Sequence, residues 1–397
     1  MVSLISSLNK LRIVLLLETL CFSILIVAFF PHISALGGSQ MYLGSIMSAM
    51  SLVGIIWNPI IGSLGDTYGL KFILVKMIAT CASSYFLLVI SDSLVVIFLA
   101  RVLAAFSGPI IPMTNTYASE ILKKEEQSSY YSKLPAVMSV SFIVGSLLAG
   151  FLSEFNHGYK LCFLVMMSFN LINIGIIYTL PDTKAKSEKQ QESLPLLEIA
   201  KREVKNAVVK LINVNWKEYS DIFAVKFCFE LAFALFYRSL SPSFLTFGVI
   251  GRSMGYVFTF MSFCTIIANI VFVNLKKTTY SEDKFGSKRL YHSALMLFIT
   301  SFILSFSNSV TFFASGLIPL AVARTFADST FTEALLAKAS EEHKGGVTGA
   351  FESITSFCGM VTPIAAGILN DLYGLKFTLI ISMVPTGSSI FLANRLA

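Results

Sequence analysis

The chain has 397 residues, of which 55% are hydrophobic and 13% charged, and its mean hydropathy is +0.74. Soluble proteins carry about 25% charged residues, so this composition excludes a soluble multidomain protein. The formal net charge of +7 does not indicate nucleic-acid binding, because the lysines lie between long apolar runs, as in the cytosolic loops of membrane proteins. The composition predicts an integral, multi-pass membrane protein.

Twelve apolar segments are long enough to cross a hydrocarbon core of roughly 30 Å as helices. Six lie in the first half of the chain, at 11–30, 41–64, 72–90, 94–118, 134–152 and 161–180. Six lie in the second half, at 222–245, 254–273, 290–306, 310–331, 347–369 and 377–392. The predicted fold is therefore an all-α membrane protein of twelve transmembrane helices in two six-helix bundles, residues 1–180 and 221–397.

A hydrophilic linker, 181–220, separates the predicted bundles and contains one amphipathic helix. Leu197, Ala200 and Val204 share one face of this helix, whereas Lys201 and Arg202 lie on others. Two interpretations remain open, a helix lying on an anionic leaflet and a helix packed on the protein's own bundles.

The distribution of lysine and arginine predicts that both termini are cytosolic. This orientation leaves only Lys160, Arg252 and Lys376 in outer loops. The membrane is either the plasma membrane or that of an organelle, and we expect a monomer.

No cofactor or metal is expected. The six cysteines fall inside predicted helices without a C-x-x-C spacing, and the four histidines are scattered near span ends. The sequence has no glycine-rich phosphate loop, nucleophile elbow or metal-ligand cluster, which argues against an enzyme.

A polar hairpin, GSLGDTYGLK, joins the second and third spans, and its motif recurs along the chain. The spacing of Gly62, Asp66, Gly69 and Lys71 is repeated near the end of the chain. A weaker copy begins at Gly150, and a degraded one comprises Asp283, Gly286 and Lys288. The copy near the end of the chain consists of Gly367, Asp371, Gly374 and Lys376. Recurrence every three spans is typical of inverted repeats nested in two parallel halves.

This pattern resembles the major facilitator superfamily over nearly the whole chain. The family's loop motif, G-x-L-x-D-R-x-G-R-K, is matched by Gly62, Leu64, Asp66, Gly69 and Lys71. The resemblance implies that Asp66 and Gly69 hold a contact between the halves on the cytosolic side, with Lys71 in support. Two expected basic residues are replaced, by Thr67 and Leu70, so the family's charge relay is incomplete here.

The fifth span carries a second motif, SFIVGSLLAG. Gly145 and Gly150 match the family's antiporter motif G-x-x-x-G-P-x-x-G-G, whereas Ser146 replaces its proline. Plain close packing of helices is the alternative interpretation of these glycines. In span order the chain is similar to the drug:proton antiporter and organic-cation-transporter-like branches.

Eight ionisable residues stand out within the predicted spans, where each is costly unless it faces a partner or water. Seven of them lie on the first span of each three-span repeat, and in the family these four helices line the central cavity. The eight are Glu18, Arg101, Lys226, Glu230, Arg238, Arg324, Asp328 and Glu352.

Glu18 and Glu230 occupy similar places in the two halves and are candidate proton carriers. Alternatively, each pairs with an arginine for structure. Arg101 corresponds to the arginine of the family's R-x-x-Q-G motif, although Ala104 and Ala105 replace its last two residues.

Two ion pairs are predicted within single helices. Lys226 lies one turn before Glu230, and Arg324 lies one turn before Asp328, so each pair can meet along a helix face. Asp328 also lies near the predicted cytosolic end of its span, where it can serve as a solvated gate residue.

Together these features predict a secondary active transporter. It would move a small organic solute, cationic or amphiphilic, by alternating access and in exchange for protons. The alternatives are an uncoupled facilitator, a lipid or metabolite transporter of the same fold, and a non-transporting receptor or scaffold. The expected partners are the solute, protons and the lipid bilayer, and not nucleic acid.

Overall fold

The computed structural model describes residues 6–182, 205, 209, 216–283, 286–338 and 344–396. These residues form fourteen helices and no strand. The predicted linker helix lies outside the described residues. In chain order the helices are α1 (Ser7–Ala35), α2 (Gln40–Tyr68), α3 (Leu70–Ile90), α4 (Leu94–Ala105), α5 (Ile110–Ile121), α6 (Lys124–Leu152), α7 (Gly158–Tyr178), α8 (Trp216–Thr246), α9 (Arg252–Lys277), α10 (Ser287–Ser305), α11 (Val310–Ser315), α12 (Leu317–Lys338), α13 (Lys344–Tyr373) and α14 (Leu375–Leu396).

Ten segments among the described residues are helical, long and apolar enough to cross a membrane. This finding confirms an all-α, multi-pass membrane protein. Two further predicted spans correspond to α8 and α10, which are not among the ten. Charged residues recur along α8, and α10 carries two adjacent basic residues, Lys288 and Arg289, in its first turn. The count of twelve spans therefore stays a prediction.

Two of the predicted spans are interrupted helices. The fourth span is divided into α4 and α5 by residues 106–109, where Gly108 has a left-handed φ of 69° and Pro109 has no N–H to donate. The tenth span is divided into α11 and α12 at Gly316. The break in the fourth span lies about one turn after Arg101, so Arg101 lies near the end of its helix.

The hairpin repeats end at residues with left-handed backbone. Gly69, Gly286 and Gly374 have φ values of 90°, 75° and 83°, and His157 takes the same place in the copy between α6 and α7 with φ 57°. Gly62, the first residue of the hairpin motif, lies inside α2 and not in the turn. The turn between α2 and α3 is therefore made by Gly69 alone, because glycine adopts this backbone conformation without strain.

The chain divides into two compact units. The first unit comprises Met1–Gly37, Ala49–Ala207 and Gly251–Thr259. In it α1 packs on α6 and α7, and α3 packs on α7 and α4. The second unit comprises Gly38–Ser48, Val208–Ile250 and Phe260–Ala397, and in it α14 packs on α10 and α8. The predicted division at residues 180 and 221 stays a prediction.

Candidate functional site

Glu18 lies in the middle of α1 and is 8% exposed. Its Oε1 accepts a hydrogen bond of 2.9 Å from Nδ2 of Asn173, a fully buried residue of α7. No ion pair joins Glu18 to Arg101 within the described part of the chain. The carboxyl group is therefore held by a neutral amide rather than by a cation.

Arg101 lies near the end of α4 and is 4% exposed. The centre of its guanidinium group lies 5.1 Å from the centroid of the Phe29 ring, a cation–π distance. Its Nε and Nη1 atoms are buried and have no hydrogen-bond partner. The first unit thus contains a buried acid and a buried base that do not neutralise each other.

Arg324 holds two carboxylates in the second unit. From α12 its Nη1 donates to both Glu230 oxygens, at 3.2 and 3.1 Å, and its Nε donates to Asp328 at 2.9 Å. The guanidinium also lies 4.5 Å from the centroid of the Phe233 ring. The expected Arg324–Asp328 contact is present, and it extends across to α8 because Glu230 joins it.

The expected contact between Lys226 and Glu230 is absent. Lys226, 5% exposed, donates instead to Oε1 of Glu352 in α13 at 3.2 Å, with its Nζ 4.0 Å from the Phe351 ring centroid. The reason is competition, since Arg324 already occupies both oxygens of Glu230.

Arg238, about two turns after Glu230 on α8, has a weaker partner. Its Nη1 donates to the thioether sulfur of Met47, a residue of the same unit, at 3.5 Å. A thioether is a poor acceptor. The charge of Arg238 is therefore not balanced by a carboxylate.

Lys71, in the hairpin motif, binds the end of α7. Its ammonium group donates to the carbonyl oxygens of Tyr178 and Leu180, at 3.1 and 2.7 Å, and pairs with Asp182 at 3.0 Å. A cation is favourable there because the last carbonyls of a helix carry partial negative charge. The side chain of Asp66 lies outside what the structure describes.

The acids of the other hairpin copies bind at the starts of helices. Asp371 accepts hydrogen bonds of 3.2 and 2.8 Å from the first two backbone N–H groups of α2. Glu154 pairs at 2.5 Å with Arg252, the first residue of α9. Asp283 accepts from the backbone and side chain of Arg289 in the first turn of α10. Asp371 and Asp283 therefore stabilise helix starts through backbone N–H groups, whereas Glu154 acts through a side-chain ion pair.

The copy before α10 contains a charge network centred on Arg289, a residue that the sequence motif does not include. Arg289, 4% exposed, donates to Asp283 at 3.2 Å and to Glu333 at 2.6 Å, and Lys276 also contacts Glu333. Lys288, which we assigned to the motif, is exposed. The basic residue that forms ion pairs in this copy is Arg289, which follows Lys288 in the chain.

Both glycines of the α6 motif are sites of close packing. A Cβ on Gly145 would lie 2.9 Å from the side chain of Ser23 in α1. A Cβ on Gly150 would lie 3.1 Å from Cα of Gly255 in the first turn of α9. Their spacing therefore serves helix contacts on two sides of α6.

Sequence reasoning missed Asn173, the partner of Glu18. The available signal was a pair of amides, Asn170 and Asn173, three residues apart in a helix that is otherwise mostly apolar. Both are fully buried, and a buried polar pair on one helix face indicates a partner across the interface.

Comparison with known proteins agrees with this geometry. The profile of the Major Facilitator Superfamily matches residues 12–278. Multidrug resistance protein 2 of Bacillus subtilis (strain 168) is 23% identical over 354 residues, which cover 86% of this chain and 83% of the relative. Quinolone resistance protein NorA of Staphylococcus aureus (strain Mu50) is 22% identical over 367 residues, which cover 88% of this chain and 86% of NorA.

The solved structure of the nucleoside transporter NupG shares the fold, with a TM-score of 0.77, 15% identity and 98% of both chains covered. Together with the apolar helices, these likenesses identify a multi-pass membrane protein that transports small organic solutes and is not an enzyme. The chain belongs to the Major Facilitator Superfamily.

Proposed function

We propose that the protein exchanges protons for its organic solute, with Glu18 as the proton site. The supporting observation is the environment of Glu18, which is 8% exposed and bonded to the amide of Asn173. An acid without a cationic partner can lose and regain a proton without breaking an ion pair. A carboxyl group deep in a span is also a frequent element of proton relays in transporters.

Glu230 has a different part in this proposal. Its two oxygens accept from Arg324, which also binds Asp328. A proton placed on Glu230 would weaken this clamp between α8 and α12, because a neutral carboxyl group attracts a guanidinium less strongly. Lys226 and its partner Glu352 form a separate pair that remains intact in this step.

The remaining features of the proposal are those that the sequence predicts. Both termini are cytosolic, the protein acts as a monomer in the bilayer, and the solute is amphiphilic. Gly62, Asp66, Gly69 and Lys71 form the cytosolic gate motif, and the contacts of Lys71 with the end of α7 support a fixed position for this loop. Asp66→Ala should therefore slow transport in vesicles, and an unaltered rate would remove Asp66 from the gate.

The test of Glu18 uses purified protein in lipid vesicles. Glu18→Gln should abolish solute accumulation driven by a pH gradient while leaving solute–solute counterflow, because counterflow needs no net proton movement. Glu125→Gln, an exposed site at the start of α6, makes the same charge change and should behave as wild type.

Two outcomes would contradict the proposal. Normal pH-driven accumulation by Glu18→Gln would exclude this residue as the proton site. If wild-type protein equilibrates solute at the same rate with and without a pH gradient, the protein is an uncoupled facilitator.

A further inference from the structure

The described part of each unit contains buried charge, but the two sets are balanced differently. In the second unit Arg324 is matched by Glu230 and Asp328, and Lys226 is matched by Glu352. Arg238 of that unit has no carboxylate partner, but it is less buried and its Nη1 donates to the sulfur of Met47. In the first unit Arg101 has no carboxylate within salt-bridge distance, and the buried acid Glu18 is bonded to an amide.

Arg101 is also short of neutral acceptors. Two of its three side-chain nitrogens, Nε and Nη1, have no hydrogen-bond partner, although only 4% of the residue is exposed to solvent. A guanidinium group has five N–H donors and can shed none of them by deprotonation. A buried charge in this condition is strongly unfavourable, and an acceptor group on a bound molecule would offset that cost.

The surroundings of Arg101 are suited to an organic anion. The Phe29 ring, 2% exposed, lies against the guanidinium and offers an apolar surface beside the charge. The ring carries no formal charge, so this contact leaves the guanidinium without a counter-ion.

Other basic residues that are equally buried do not share this condition. Lys10, 7% exposed, donates to the carbonyl oxygen of Thr179, and Arg289, 4% exposed, binds two carboxylates. Among the described basic residues that are this buried, the unmet hydrogen-bonding capacity is thus specific to Arg101.

We propose that Arg101 binds an anionic group, a carboxylate or a chemically similar oxyanion, on the transported solute. This inference rests on the proposed transport function and adds the sign of the charge that the first unit recognises. An amphiphilic anion or zwitterion fits the site, whereas a purely cationic solute would meet an unpaired positive charge there. The acid available to attract a cation in the second unit, Glu230, is already bonded to Arg324.

The first measurement is thermal stability without any solute. Arg101→Gln removes an unpartnered buried charge and should raise the melting temperature of the purified protein. Arg395→Gln, at an exposed position near the end of α14, makes the same charge change and should leave the melting temperature unchanged. A lower melting temperature for Arg101→Gln would mean that Arg101 supports the structure, which would overturn the inference.

The second measurement is ligand binding with matched compounds. Naphthalene, quinoline and biphenyl scaffolds, each carrying a carboxylate, a neutral amide or an ammonium group, are titrated against wild type, Arg101→Gln, Arg101→Lys and Arg395→Gln. Sodium acetate and sodium sulfate serve as anions without the aromatic body. At least one aromatic carboxylate should stabilise wild type more than its amide and ammonium counterparts, and acetate should do so only weakly.

Arg101→Gln should weaken binding of the carboxylate by about thirtyfold or more, because one partner of a buried charge pair is lost. Arg101→Lys should restore part of the affinity, and Arg395→Gln all of it. Equal shifts from all three head groups, no shift from any carboxylate, or an unchanged affinity in Arg101→Gln would overturn the inference. Stabilisation by acetate or sulfate equal to that by the aromatic carboxylates would assign the site to a small inorganic-type anion and would also overturn it.

A failure of the proposed transport function would give different results from a failure of the Arg101 assignment. If pH-driven transport of ammonium compounds persists and carboxylates are ignored, proton exchange stands and the assignment of Arg101 is wrong. If no compound of either charge moves in response to a pH gradient, the failure lies with proton exchange.

Discussion

Gly145→Ala tests the packing between α1 and α6 directly. The new Cβ would lie 2.9 Å from Cβ and Oγ of Ser23 and 3.0 Å from the carbonyl oxygen of Leu20. Ser23 has little freedom to withdraw, since its Oγ donates to the carbonyl oxygen of Phe142 at 2.7 Å and lies 2.9 Å from Oγ of Ser146. We expect a destabilisation of about 1–3 kcal/mol from overpacking, reduced by up to about 1 kcal/mol through the higher helix propensity of alanine.

The matched control for this variant is Gly175→Ala in α7, where a Cβ would meet nothing within 4 Å. Only the propensity gain applies there, so Gly145→Ala should be less stable than Gly175→Ala by about 1–3 kcal/mol. Thermal unfolding in detergent can be followed with a thiol-reactive dye, because Cys21, Cys81 and Cys162 are buried until the unit unfolds. A Gly145→Ala protein as stable as Gly175→Ala would refute the close approach of α1 and α6.

Three further predictions concern the ends of helices. Asp371→Asn should reduce stability by about 1 kcal/mol, because it weakens the two hydrogen bonds that cap α2; unchanged thermal unfolding would contradict this. Arg289→Ala should cost about 3–5 kcal/mol, since it leaves buried acid unpaired. Lys288→Ala, the exposed control, should change stability by less than about 0.5 kcal/mol, and equal losses would refute the network. The hydrogen bond from Lys160 lowers the pKa of Asp92 below its ordinary value, so this contact stabilises the fold above pH about 4 and is lost as pH falls further. Asp92→Asn should therefore flatten the acid limb of a stability–pH profile, and an unchanged limb would count against the contact.

The fold was accessible from sequence because its signals are repeated. Long apolar runs predicted the membrane helices, and the recurring hairpin predicted junctions that the structure places at Gly69, His157, Gly286 and Gly374. Such spacing depends only on backbone geometry and helix length. It does not report where a helix breaks, so the interruption at Gly108 and Pro109 was not foreseen.

The partners of the buried charges were less accessible, because they depend on which faces of distant helices meet. Spacing of one helical turn predicted Arg324 with Asp328, and this pair is present. The same spacing predicted Lys226 with Glu230, but a carboxylate on α13 is the partner instead. Local periodicity does not register competition from another helix, which here comes from Arg324.

Hydrogen bonds from neutral groups were the least accessible. Asn173 has no charge to draw attention to it, and its importance follows only from its position opposite Glu18. Likewise the lack of a partner at Arg101 is a three-dimensional property, since the sequence contains enough acids to neutralise every span arginine.

Proton-coupled exchange is tested most directly by measuring both fluxes in one preparation. Wild-type protein is placed in vesicles that contain a pH-sensitive dye, and an outward gradient of the solute with the largest thermal-shift response is imposed. Solute leaving the vesicles should drive protons inward, so the lumen should acidify at a rate that follows solute efflux, and Glu18→Gln should show no acidification. Solute efflux from wild-type vesicles without any change in luminal pH would contradict the account.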